Sequence, residues 1–319
     1  MLFTHVPVLY EETLQALAIE PSGIYLDATF GRGGHSRGIL ERLGKEGRLF
    51  ALDRDPAAVA AGKAINDPRF TIAHACFSFL KEQCESWGIA GRVNGLLMDI
   101  GVSSPQLDDA ERGFSFTRDG PLDMRMDTEA EKDAATVVNT YSVEDLTRIF
   151  KLYGEERFAL KAARAIVKRR ESAPFTRTLD LAAFLNEVIP GKPGPRHKAT
   201  RIFQALRIEV NGELDELQQA LKAASEVLAP QGRLCVITFH SLEDRMVKNY
   251  FREFSEGPAL PRGLPVSEEE VERLRLLHAL FDRPLKPVRA GEEELERNVR
   301  ARSATLRTAI RVNYQREGA

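Results

Sequence analysis

Sulfur chemistry has little to work with in this sequence. Cys76, Cys84 and Cys235 are its three cysteines, an odd number never spaced as Cys-x-x-Cys. That pattern indicates neither a disulfide framework nor a metal site of the Cys-x-x-Cys kind, and predicts buried free thiols with no metal. Nowhere do about 18 apolar residues follow one another, so a membrane-spanning helix is not expected. The opening MLFTHVPVLYEE lacks the basic stretch and apolar run of a leader peptide, which predicts a cytoplasmic protein with no membrane partner. Repeats and low-complexity segments are missing too. With a formal net charge of -2, the chain carries no global sign of a nucleic-acid partner, and any such sign must be local. What remains is a globular chain of 319 residues, 43% hydrophobic, enough for one large or two modest domains.

The chain is organised around residues 24–36, IYLDATFGRGGHS. A short apolar run predicts a buried strand, and Gly31, Gly33 and Gly34 let the backbone turn sharply into a helix and approach a ligand. Twenty residues past Gly33, LFALDRD (49–55) reads as a second buried strand ending in Asp53, where a Rossmann-like sheet offers a carboxylate to ribose hydroxyls. The glycines do not follow the G-x-G-x-x-G of dinucleotide enzymes, because Ser36 stands at the third glycine position. A dinucleotide pyrophosphate needs a helix N-terminus at close range, whereas S-adenosylmethionine carries no phosphate. The spacing therefore favours S-adenosylmethionine; the plainer alternative is a strand-to-helix turn with no ligand.

Helical spacing of Leu9, Thr13, Leu14 and Leu17 predicts a first helix over 8–19, stopped by Pro21, Ser22 and Gly23. Gly44 is placed to end the helix after the glycine turn in a left-handed cap, and Asp55 with Pro56 to start the next. Strands are predicted over 69–77 and 93–101, the last carrying Asp99. Strands separated by helices imply a parallel sheet. The alternation stops after Asp99: from about 104 to 213 the patterns are helical, with Ser142 as an N-cap and Phe158, Ala162, Ala165 and Ile166 on one apolar face. Basic residues crowd this stretch at Arg157, Lys161, Arg164, Lys168, Arg169, Arg170 and Arg177, then at Lys192, Arg196, Lys198, Arg201 and Arg207. They fit either a solvated helix face or phosphate contacts. A long helix through Leu228, a strand over 233–239, the helical HSLEDRMVKNYF and a closing edge strand over 304–312 follow. The expected fold is α/β, a sheet domain in two parts (1–104 and 214–319) interrupted by a helical insertion (105–213).

The string DIGVSSPQLDDAERGFSFTRDGPLDMRMD (99–127) is too specific to be a filler loop, and it is not the polar-Pro-Pro-aromatic loop usual in amino-group methyltransferases. Together with HVPVLYEE, LDATFGRGGHS, YGEERFA (153–159), FQALRIEVNGEL (203–214) and FHSLEDRMVK (239–248), it closely resembles the bacterial RsmH (MraW) family over nearly the whole chain. The resemblance implies a Rossmann-like class I sheet and S-adenosylmethionine-dependent methylation of the exocyclic N4 amine of a cytosine in the decoding region of small-subunit (16S) ribosomal RNA. It implies the small subunit as partner and leaves a homodimer open. It places cofactor contacts on Gly33, Gly34, His35, Asp53, Phe77, Asp99 and Gln106.

A cytosine amine is a weak nucleophile because its lone pair is delocalised into the ring, so orientation and acceptors for the amine hydrogens must supply much of the rate. The catalytic candidates near that amine are Asp99, Ser103, Ser104 and His240. His240 has a structural alternative, a helix-entry residue paired with Glu243 or Asp244. Methylation at C5 would need a reactive thiolate, and Cys76 and Cys235 sit in apolar strand sequences. Two other functions stay open on the residues alone: a nicotinamide-dependent oxidoreductase on the same sheet, and a cofactor-binding assembly factor without turnover.

Overall fold

The structure, a computed structural model, describes residues 7–191, 197–257 and 266–313, the side chains of 104 and 105 apart. The chain divides into two compact units, 1–101 with 216–319, and 102–215.

The first unit begins with helix α1 (Tyr10–Leu17) and runs β1 (Ile24–Asp27), α2 (Gly34–Arg42), β2 (Arg48–Asp53), α3 (Pro56–Lys63), β3 (Phe70–His74), α4 (Leu80–Ser86) and β4 (Val93–Asp99). The second unit contains α5 (Ser104–Asp108), α6 (Ala134–Thr140), α7 (Val143–Leu152), α8 (Ala159–Arg170), α9 (Thr178–Val188) and α10 (Thr200–Asn211). Helix α11 (Glu213–Val227) leads back to the first unit, which closes with β5 (Leu228–Thr238), α12 (Ser241–Glu253), α13 (Glu268–His278), α14 (Glu292–Arg297) and β6 (Thr305–Ile310).

The sheet order is β3-β2-β1-β4-β5-β6, parallel throughout except for β6, which pairs antiparallel with β5 at the edge. A parallel sheet covered by helices on both faces buries nearly every strand residue, and alternation then divides them between two cores. Leu26, Leu96, Met98, Leu234 and Val236 join a core with residues of α4, α11 and α12, while Tyr25, Leu49, Leu97, Cys235 and Ile237 join another with residues of α1 and α2. The apolar runs of the sequence are continuous because both faces are buried. Among the described residues no helix is long and apolar enough to cross a membrane.

Several local expectations give way to packing. Helix α2 stops at Arg42 with Leu43 extended (φ -78°, ψ 140°). Gly44 has no left-handed turn to make; its N–H donates to the Pro21 carbonyl at 2.7 Å. The third strand ends at His74, so Cys76 and Phe77 lie in the turn beyond it, Phe77 opening a 3-10 turn (Phe77–Phe79). Leu228 is the first residue of β5 and pairs with Val93, because the chain turns into the sheet before Pro230. Asp55 and Pro56 do start α3, Asp55 accepting the Ala57 N–H at 3.0 Å.

The second unit is helical around its own core, in which Phe150, Ile166, Phe175, Leu185, Ile202 and Leu206 are fully buried. Ser142 caps α7 as expected, its Oγ accepting the Asp145 N–H at 3.0 Å. On α8 the buried face is Ala159, Ala162, Ala163 and Ile166; Phe158, expected there, is 40% exposed. The irregular 109–133 segment is held from inside by the buried Asn211, whose Nδ2 donates to Met124 O and whose Oδ1 accepts from Met126 N–H, both at 2.8 Å. Arg112 adds donations to the carbonyls of Arg125 (3.0 Å) and Met126 (2.9 Å).

Candidate active site

Three neighbouring strands, β2, β1 and β4, each end in an aspartate: Asp53, Asp27 and Asp99. Growth of the sheet reverses between β1 and β4, and ligands of open parallel sheets bind outside the strand ends at such a reversal. Asp27 is buried, its Oδ2 accepting from Ser36 Oγ at 2.7 Å and its Oδ1 from Thr29 N–H at 3.1 Å. Asp53 accepts from Gly31 N–H at 2.7 Å and from Asp55 N–H at 2.8 Å. The Asp99 N–H donates to Thr29 Oγ1 at 2.7 Å, tying the end of β4 to the turn after β1. Burial pushes the carboxyls of Asp27 and Asp53 up to about 6. Burial, then the charge of Asp27, pushes Asp99 up to about 7. A group that titrates near neutrality can both hold a cation and take a proton.

The glycine turn is shaped as much by the protein as by any ligand. Gly33 stands at φ 71°, and a Cβ there would lie 2.5 Å from the Phe30 ring; one on Gly34 would lie 2.2 Å from Pro7. The turn delivers His35 into the first turn of α2, buried, with Nε2 3.2 Å from the Val8 carbonyl. A carbonyl only accepts, so Nε2 carries the proton and Nδ1 presents a lone pair. Burial holds the ring down to about 4, so it is neutral at pH 7. Nδ1 then faces Asp99 Oδ2 at 3.8 Å, acceptor against acceptor. That pair suits a cationic donor such as an amino-acid ammonium, and Asp53, with lone pairs left on both oxygens, suits a vicinal diol. The residues present fit S-adenosylmethionine.

The remaining candidates divide. Phe77 is half-buried against the sheet core, leaving ring area free for stacking. His240 is the N-cap of α12: its Nδ1 accepts the Glu243 N–H at 3.4 Å and its Nε2 stands 2.9 Å from Glu243 Oε1. Glu243 Oε2 in turn accepts the N–H groups of Phe239 (2.8 Å) and His240 (3.3 Å). The ring is therefore engaged in the capping box anticipated as its structural alternative. In the second unit, Gln106 is buried and its Oε1 accepts the Ser103 N–H at 2.9 Å. The Ser104 side chain lies outside the described residues. Asp27 and Thr29 are not among the sequence candidates, and Ser36 enters there only as a departure from the dinucleotide pattern, although all three stand in the most informative stretch. The available signal was an acid at the end of the first strand with a hydroxyl nine residues on.

The basic residues of the second unit also divide. Arg169 pairs with Asp180 at 2.8 Å and lies 4.0 Å over the Phe175 ring; Arg170 donates to Val138 O at 2.7 Å. Arg177 pairs with Asp119, Arg207 pairs with Glu213, and Lys198 donates to the carbonyls of Asn186 and Ile189. These cations hold the fold. Arg157, Lys161, Arg164 and Lys168 are exposed and make no hydrogen bond or ion pair with a described residue. Lys192 and Arg196 lie outside the described residues.

A profile of the MraW methylase family matches residues 2–312. The Ribosomal RNA small subunit methyltransferase H of Shewanella oneidensis is 51% identical over 313 residues, covering 98% of this chain and 99% of that one. Among solved structures, an rRNA methylase from Streptococcus thermophilus aligns at 9% identity with a TM-score of 0.41, covering 97% of this chain and 99% of that one. A SAM-dependent methyltransferase from Aquifex aeolicus aligns at 12% identity with a TM-score of 0.37, covering 96% and 90%. Structural likeness that low carries no weight for function.

Proposed function

The chain belongs to the MraW methylase family, and on that premise we propose that it transfers a methyl group from S-adenosylmethionine to the N4 amine of a cytosine in small-subunit (16S) ribosomal RNA. The observation that carries the reading is the facing pair of acceptors, His35 Nδ1 and Asp99 Oδ2, beside the acid-tipped strands. It calls for a cation, and it turns against the nicotinamide alternative, whose binding needs a pyrophosphate cradle. The neutral His35 and ionised Asp99 hold the ammonium, Asp53 holds the ribose hydroxyls, and Phe77 lies against the adenine.

When bound, S-adenosylmethionine supplies a methyl carbon activated by its sulfonium. It would give up that carbon to the cytosine nitrogen, the carbon–sulfur electron pair staying with sulfur, and the nitrogen would pass one proton to Asp99. Asp99 accepts an amine hydrogen, which frees the lone pair for attack. The further catalytic candidates are His240 in the first unit, its ring held by Glu243, and Ser103 and Ser104 in the second. Burial pushes Cys84 and Cys235 up to about 12 and leaves these two no thiolate at neutral pH for attack at C5, whereas Cys76, expected within an apolar strand, is half-buried in the turn after β3. The test is transfer of labelled methyl to small ribosomal subunits that lack the modification, followed by digestion to nucleosides. Label in N4-methylcytidine is expected; label in 5-methylcytidine, or none with folded protein, overturns the proposal.

A further inference from the structure

Between Arg157 and Arg170 the chain carries six basic residues and no acid. Three of them, Lys161, Arg164 and Lys168, recur at steps of three and four on one face of α8, and Arg157 lies in the turn two residues before its start. All four are exposed and have no partner among the described residues, while Arg169 and Arg170 on the same helix are tied down. Beside the stripe, Phe158 is 40% exposed and Leu160 45%, and with Arg157, Lys161 and Arg164 they line a surface groove of about 380 Å³. Buried Glu156 fixes this entry to the helix, its Oε1 accepting the Phe158 N–H at 2.9 Å.

We propose that the outer face of α8 and the turn before it bind a single-stranded stretch of RNA, with phosphates against Arg157, Lys161, Arg164 and Lys168 and an unstacked base against Phe158. The proposal deepens the reading above and rests on RNA being the substrate. Unpartnered cations in a row call for a polyanion, and an exposed ring among them calls for one with flat apolar faces, which a nucleic acid has and an acidic peptide lacks. A membrane surface is disfavoured because the apolar face of α8 (Ala159, Ala162, Ala163 and Ile166) is already buried in the unit's core.

The experiment is fluorescence anisotropy of the full chain with a labelled oligocytidylate of about ten nucleotides, within the range of one binding face, over a series of salt concentrations. Replacing the four cations with Gln should lower the slope of log affinity against log salt by about 3, at roughly 0.7 per lost contact with a single strand. Phe158→Ala should weaken binding about 5- to 100-fold with the slope unchanged, and Phe158→Tyr should retain it. Calorimetry with S-adenosylmethionine checks that each variant is folded. An unchanged slope, an unchanged affinity for Phe158→Ala, or equal competition by a polyglutamate peptide overturns the proposal. If oligocytidylate binding depends on these residues but no methyl is transferred, the surface stands and the enzymatic reading falls. If methyl is transferred and the variants bind as the unaltered chain does, the surface falls alone.

Discussion

The acids at the ends of β1, β2 and β4 and the cations along α8 and the turn before it are both runs of like charge, but Asp27 is buried and Asp53 and Asp99 half-buried, whereas the cations are exposed. Removed from water, the carboxylates cannot all stay ionised cheaply, so their titration moves toward neutrality. The cations keep their water and are screened within about 8 Å at physiological salt. Acidity should therefore tune the first region and ionic strength the second.

The comparison breaks most visibly at Asp99. With cofactor and RNA saturating, Asp99→Asn should lower the single-turnover rate about 100-fold or more, because the amide keeps an acceptor oxygen but cannot take up the proton that the amine loses. A full rate would confine Asp99 to binding and shift attention to Ser103, Ser104 and His240. Next comes Asp53→Ala, which should weaken S-adenosylmethionine by about 1.5 to 3 kcal/mol in calorimetry. Because Asp53 also holds the N–H groups of Gly31 and Asp55, the variant should melt lower too. Unchanged affinity would remove Asp53 from the site.

A smaller effect separates the two regions directly. Asp99 must be ionised to hold an ammonium, so cofactor affinity should fall about tenfold per pH unit below its titration near 7, and Asp99→Asn should lose that dependence. For stability without cofactor the sign is opposite. Carboxyls raised on folding favour the folded state in acid, and their contribution is lost as pH rises from about 4 through 6 for Asp27 and Asp53 and through 7 for Asp99. His35, lowered to about 4, opposes them, its contribution being present above about 6.5 and lost as pH falls through 4. Denaturant titrations of the protein and of Asp99→Asn across this range check both signs. The smallest effect is expected at Arg169→Gln, which should cost about 1 to 2 kcal/mol of stability through Asp180 and Phe175. It should leave the salt slope of RNA binding untouched; a change there would mean that the held and free cations act as one surface.

The sheet was legible because each strand announces itself as an apolar run closed by an acid or a turn, and Asp53 and Asp99 could be placed at strand ends on that basis alone. Asp27 ends its strand in the same way but was passed over, since its role depends on Ser36, Thr29 and Asp99 meeting it in space. His240 could be read as a cap or as a catalytic group, and only the paired contacts with Glu243 tell which its nitrogens serve. The basic stretch was legible as charge and not as function. Arg169 and Lys168 are neighbours in sequence, yet one stacks on Phe175 and the other faces solvent, a distinction created by the packing of α8 against α9. Phe158 was misassigned because helical spacing alone cannot say where a core stops.

The order of strands in the sheet has a consequence for the protein's birth. β4 lies between β1, made before it, and β5, which is made roughly 130 residues later in the chain. At ordinary elongation rates that interval lasts about 6 to 25 s. Throughout it the nascent half-sheet shows a bare strand edge bearing Leu96, Leu97 and Met98, all fully buried in the finished molecule. The long detour between the two strands makes the growing polypeptide a client for whatever shields nascent chains at the ribosome.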